Sequence, residues 1–248
     1  MNEYITYRYF VTANLMAVEP QPSIFIQGVE IMEPVTTFTD VLVTVVSFYV
    51  YFKLKPLEKL GKKYLYIRYF LVTLGISTFI GGVVGHGFLY AFSFVWKTPG
   101  WLIGMFAVTL LERAAIEHAK ELLKPRFLKF FRTVNLIELI AFVIITFVTL
   151  NFTYVQVHGA YGLLVVVFSF HLYNYLKTRN TGSLYFLGAV GIMALASAIF
   201  SLQLAPHQWF NHADLSHVLM CFAVLCAYQG TLNLSETDRP QQVQAAGQ

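Results

Sequence analysis

Residues 206–229, PHQWFNHADLSHVLMCFAVLCAYQ, run from a polar, histidine-bearing cluster straight into an apolar helix of membrane-spanning character. Asn211 is a good N-cap, and Asp214, three residues on, is placed to accept from free backbone N–H groups of the first turn. His217 follows on the same side as Asp214. A carboxylate and an imidazole at the mouth of an apolar helix are expensive in hydrocarbon unless paired, hydrated or bound to something. That expense makes the entrance of this helix the first place to look for function.

The rest of the chain has the same character. Its 248 residues are 57% hydrophobic, 17% aromatic and 12% charged, with a mean hydropathy of +0.60. Soluble domains carry about a quarter charged residues. The composition therefore predicts an all-α, integral membrane protein. The net charge of +4 sits in short basic clusters between apolar runs, the pattern of topology signals and not of a nucleic-acid surface. Cys221 and Cys226 fall five apart inside the last apolar run, face different directions and read as small core residues.

Seven spans are expected, near 35–54, 66–92, 100–119, 133–150, 155–176, 183–204 and 213–232. Each approaches the roughly 20 apolar residues a bilayer needs. Short connections make neighbours antiparallel, giving one seven-helix bundle over residues 33–234 without a soluble domain. Residues 1–32 read as an N-terminal extension with Arg8 and scattered aromatics but no apolar run, and the abrupt start of organised sequence at Glu33 raises Met32 as a natural start. Residues 235–248 read as a disordered polar tail.

Basic residues set the expected orientation. Lys53, Lys55, Lys59, Lys62, Lys63 and Arg68 follow span one; Lys120, Lys124, Arg126, Lys129 and Arg132 follow span three; Lys177 and Arg179 follow span five. The opposite loops offer little beyond Lys97, so the N-terminus is expected outside and the C-terminus in the cytoplasm. Trp96, Trp101 and Trp209 then fall at the outer interface. Small residues at Gly81 and Gly85, and at Gly188, Gly191, Ala194 and Ala198, predict close helix contacts.

With this topology Asp40, His86, His158, His212, Asp214 and His217 gather near the outer surface. Imidazole and carboxylate form the ligand set of catalytic zinc, which takes three protein groups and leaves a fourth position open. His86 and His217 are the expected metal ligands, with His212 or Asp214 as the third and Asp40 as a partner fixing a histidine tautomer or as a general base. Thr37 with Asp40, and Asn211 with Asp214, also fit capping boxes, and His158 and His212 suit an interface. A second polar set, Glu112, Arg113, Glu138 and His171, is expected toward the cytoplasmic side, as structural ion pairs of Arg113 with Glu112 or Glu138, or as a proton or cation pathway.

The motifs Glu33-Pro34-x-Thr36-Thr37-x-Thr39-Asp40, His86 at the end of span two, and Asn211-His212-x-Asp214-Leu215-x-His217 resemble an uncharacterised bacterial family of seven-helix membrane proteins. That family is similar in layout to the superfamily of alkaline ceramidases, adiponectin-type receptors and GPI-remodelling membrane hydrolases. The layout covers nearly all of 33–234, and the specific motifs about a dozen positions. The resemblance implies a zinc-dependent hydrolase of lipid amides or esters. Its zinc is held by one histidine in span two and an H-x-x-x-H pair in span seven, with a serine one turn before the first histidine and an aspartate in span three. His86 and His217 match two of these ligands. Ala213 stands at the first position of the pair, Gly82 at the serine position, and span three has no aspartate.

Two other function classes stay open beside the Zn2+ hydrolase. One is a transporter or channel-like protein using the outer cluster and Glu112/Glu138 as a relay; the other is a non-catalytic sensor or assembly subunit.

Overall fold

The computed structural model describes the backbone of residues 21–246 and the side chains of residues 21–236; residues 1–20, with Arg8 and most of the stretch read as an extension, lie outside the described residues. A small antiparallel hairpin of β1 (Ile24–Ile26) and β2 (Val29–Ile31) comes first. The helices are α1 (Pro34–Lys53), α2 (Lys62–Gly87), α3 (Thr98–His118), α4 (Pro125–Thr149), α5 (Thr153–Thr178), α6 (Thr181–Ser201) and α7 (His212–Ala246). Among the described residues, seven helices are long and apolar enough to cross a membrane.

Helix starts follow local chemistry. Pro34, Pro99 and Pro125 sit in the first turns of α1, α3 and α4, where a missing N–H costs nothing. Asn180 caps α6 by accepting from Ser183 N–H at 3.2 Å. Leu150 and Arg179, at φ of 49° and 55°, end α4 and α5 in the left-handed conformation. Two helices change pitch to a wider π turn, α2 at Gly81–Gly87 and α5 at Tyr161–Val167. Such turns are uncommon and concentrate at functional sites.

The edges differ from hydropathy. α4 begins at Pro125 and not near 133, because basic and aromatic residues extend the helix beyond its apolar middle. α7 continues to Ala246 through the stretch read as a tail. The extension is integrated where it is described: Met32 N–H donates to Gly87 O at 3.0 Å, tying the hairpin to the end of α2.

α1 packs against α2 and α7, α2 against α3, and α6 against α7. α6 and α7 come close at Gly182 and Gly230, where a Cβ on Gly182 would fall 2.7 Å from Gly230 O. Within the expected small-residue stripe, a Cβ on Gly188 would make an ordinary contact with Cys226 Sγ of α7 at 3.5 Å, whereas one on Gly191 would meet nothing within 4 Å. The face where α1, α3, α5 and α7 begin is called proximal here and the opposite face distal. The apolar core, including Val50, Leu54, Tyr64, Leu71, Leu111, Ile116, Phe186 and Val224, fills the bundle's middle and distal part. Large apolar residues point outward, among them Phe52, Ile137, Phe147, Val148 and Phe222.

Candidate functional site

α1 is amphipathic in the inverted sense. Thr36, Thr39, Asp40, Thr44 and Ser47 recur at helical spacing on its buried face, while Phe38, Val45, Tyr49 and Phe52 point outward. The polar stripe meets α2 and α7 near the proximal face. Thr37 does not close a capping box with Asp40; its hydroxyl donates to Gly82 O at 3.3 Å. Asp40 is therefore free to turn inward, and it is 4% exposed.

Gly82 makes this approach possible. A Cβ there would fall 2.6 Å from Asp40 Cβ and 3.2 Å from Thr37 O, so α1 lies directly against the α2 backbone. One turn on, the π turn presents His86. Its Nε2 lies 4.0 Å from Asp40 Oδ2, and its Nδ1 contacts Glu33 Oε2 at 2.8 Å. From α7, His217 Nε2 lies 3.4 Å from Asp40 Oδ1, and its Nδ1 contacts Thr39 Oγ1 at 3.0 Å. Two imidazoles thus approach opposite oxygens of one carboxylate, each held from behind through its other nitrogen.

Asp214 takes the capping role. Asn211 Oδ1 accepts from Ala213 N–H (2.8 Å) and Asp214 N–H (3.3 Å), and Asp214 Oδ2 accepts from Asn211 N–H at 2.7 Å. Thr39 Oγ1 lies 3.4 Å from its other oxygen, which links the cap to His217. His212 does not join Asp40: its ring stands edge-on to Phe200 with centroids 5.2 Å apart, and its Nδ1 is buried without a hydrogen-bond partner. The reason is angular, since His212 opens α7 and His217 lies five residues later, on a different face.

Sequence reasoning missed Gln21. Its Oε1 accepts from Val35 N–H (2.8 Å) and Thr36 N–H (3.3 Å), capping α1 from outside the helix, and its amide donates to Asp214 Oδ2 (3.3 Å) and Trp209 O (3.1 Å). One side chain bridges the starts of α1 and α7. No local motif announces it, because both helix ends are distant in sequence. Glu33, the residue before the first turn of α1, reaches across to His86. Burial alone would raise the Glu33 pKa, but the adjoining His86, with Lys97 and His212 nearby, brings it below its ordinary value.

The second polar set is rearranged. His158, expected at the interface, is 0% exposed: its Nδ1 contacts Glu138 Oε1 at 2.6 Å and its Nε2 lies 2.9 Å from Met105 O. Glu112 accepts from Asn135 Nδ2 at 2.9 Å. Arg113 pairs with neither Glu112 nor Glu138; it donates to Arg132 O at 2.9 Å, and Arg132 pairs with Glu117. His171 lies elsewhere, stacked on Phe186 at 4.3 Å and beside His118 and the Ser183 hydroxyl. Hydropathy does not fix rotation about a helix, and with α4 beginning at Pro125, Glu138 lies in mid-helix, so His158 and not His171 joins Glu112 and Glu138. Among the described residues, Glu112, Glu138 and His158 are the group whose three ligand atoms lie within 4.8 Å of one another; the proximal histidines form a looser set.

Residues 35–236 match the model of a family of unknown function, DUF6962, an interval that runs from the first turn of α1 into α7. Neither the curated proteins nor the solved structures contain a match to the chain. The chain belongs to the DUF6962 family.

Proposed function

We propose that this protein is a multi-pass membrane protein, N-terminus outside, whose proximal cluster is a metal-assisted hydrolytic site for a lipid amide or ester bond. Membrane insertion is supported by the outward apolar surface: Phe52, Ile137, Phe147 and Val148 are 66%, 60%, 62% and 75% exposed, far beyond what a water-facing bundle tolerates. The one observation that carries the site is the pair of imidazoles, each anchored through Nδ1, with Nε2 turned to opposite oxygens of Asp40.

That donor set, two imidazole nitrogens and one carboxylate, fits three-ligand divalent zinc, and the Nδ1 contacts with Glu33 and Thr39 are the outer partners such ligands use. His86, His217 and Asp40 would hold the ion, with Asp40 in the role expected of His212 or Asp214. Zn2+ there would supply Lewis acidity toward a scissile carbonyl. The protein's own groups do the rest. Glu33 and Thr39 orient the rings, Asp214 braces Thr39, and Lys97, in electrostatic reach of Glu33 and Asp40, faces the cluster with positive charge. His86 and Glu33 side chains are 27% and 34% exposed, so the site opens to the proximal face. Asp40 occupies the space a side chain at Gly82 would need, which supports a carboxylate in place of the serine of the similar hydrolases.

Purified full-length protein, stripped with chelator and reloaded with Zn2+, tests the reading. His86→Ala and His217→Ala should each remove one equivalent of zinc and abolish release of fatty acid from a panel of ceramide and phospholipid substrates. Unchanged zinc content in both variants, or release of fatty acid that survives both, would refute it.

A further inference from the structure

α3, α4 and α5 meet around three ionisable groups that the proximal site does not use. One atom from each of Glu112, Glu138 and His158 lies within 4.8 Å of the other two. Glu112 and His158 are fully buried, and the Glu138 side chain is 9% exposed. Met105 O can only accept, so His158 Nε2–H donates to it, and the 2.6 Å contact of Nδ1 with Glu138 Oε1 is closed by a proton shared between those two atoms. An imidazole that donates its far N–H to a backbone carbonyl is the usual posture of a metal-ligating histidine.

Two orphaned atoms point independently to a missing ligand. Glu112 Oε1 and Glu138 Oε2 are both buried without a hydrogen-bond partner. Asn135 holds only the other oxygen of Glu112. Space for the free oxygen is left by Gly162 in the π turn of α5, where a Cβ would fall 2.5 Å from Glu112 Oε1. With the shared proton on the His158–Glu138 pair, an ionised Glu112 leaves one uncompensated negative charge in a low-dielectric interior. A divalent cation that displaces the proton between His158 Nδ1 and Glu138 Oε1 would satisfy both orphaned carboxylate oxygens and cancel the charge of both carboxylates. Glu112, Asn135 and Tyr161 also line a cavity of about 530 Å³ between α3, α4 and α5, walled by Phe131, Phe170 and Tyr173.

We propose that Glu112, Glu138 and His158 form a second, buried binding site for a divalent transition-metal ion of the class that accepts mixed imidazole and carboxylate ligands, such as Zn2+ or Mn2+. The site stands apart from the proximal cluster and does not rest on its chemistry.

The test uses the full chain in detergent, stripped with chelator, equilibrated with Zn2+ or Mn2+, desalted and analysed by elemental mass spectrometry. The double variant His86→Ala/His217→Ala, which lacks the proximal ligands, should keep one equivalent. Glu112→Gln/Glu138→Gln, nearly isosteric, should lose one equivalent relative to the unmodified chain. In the unmodified chain, added metal should reduce labelling of Glu112 and Glu138 by dicyclohexylcarbodiimide, an apolar carboxyl reagent, at least several-fold by peptide mapping. A metal-free proximal double variant, an unchanged metal content on the glutamine substitutions, or labelling that metal does not alter would overturn the proposal and leave a proton-only cluster. Loss of zinc from the proximal variants with retention here would confirm this site whatever the fate of the hydrolytic reading.

Discussion

Gly82→Ala probes the contact on which the proximal site is built. The added methyl would sit 2.6 Å from Asp40 Cβ and 3.2 Å from Thr37 O, both on or next to the α1 backbone, so no side-chain rotation relieves it. Ordinary carbon contacts begin near 3.5 Å, so α1 must retreat by about 1 Å. Overpacking of this kind costs about 1–3 kcal/mol. Replacing glycine by alanine in a helix returns about 0.5–1 kcal/mol, which leaves a net loss of up to about 2.5 kcal/mol. For a chain of this size that corresponds to a fall in Tm of up to roughly 10 °C in detergent. Gly191→Ala is the internal control: its methyl meets nothing within 4 Å, so only the helix-propensity gain remains and Tm should stay level or rise. Equal melting temperatures for the unmodified protein, Gly82→Ala and Gly191→Ala would refute the close approach of α1 to α2.

Gln21→Ala leaves Val35 and Thr36 N–H groups and one contact of Asp214 without their partner, and should lower stability by about 1–2 kcal/mol in chemical denaturation, as loss of a helix cap does. Gly182→Ala drives a methyl to 2.7 Å from Gly230 O and should separate α6 from α7, read as faster proteolysis of the detergent-solubilised chain; Gly188→Ala, whose nearest neighbour is Cys226 Sγ at 3.5 Å, should not. Glu33 has a lowered pKa in the fold, so its contribution to stability is complete above the ordinary carboxylate pKa and is lost as pH falls through the lowered value. Glu33→Gln should therefore flatten the acid limb of the stability profile and leave the neutral-to-alkaline limb parallel to that of the unmodified chain.

Much of the architecture was legible because it rests on long-range averages. Runs of apolar residues specify seven long helices, and Asn211 with Asp214 specifies the start of α7 through bonds made within three residues. Convergence of Asp40, His86 and His217 was legible as a shared depth, and the inward polar stripe of α1 supplies the rotation that depth alone lacks. What escaped depends on side chains meeting across helices. His158 pairs with Glu138 because the turns of α4 and α5 face each other, and His171 faces Ser183 and Phe186 for the same kind of reason. Hydropathy contains no information about either rotation. Gln21 escaped because its partners are 14 and 193 residues away.

The central claim is that α1, α2 and α7 bring Asp40, His86 and His217 into one proximal pocket. Nitrogen NMR of protein labelled at histidine tests it most directly, with resonances assigned through His86→Ala and His217→Ala. Asp40→Asn should shift the imidazole signals of both His86 and His217 and leave those of His118 and His171 in place. Movement of neither signal, or of one alone, would contradict the shared pocket.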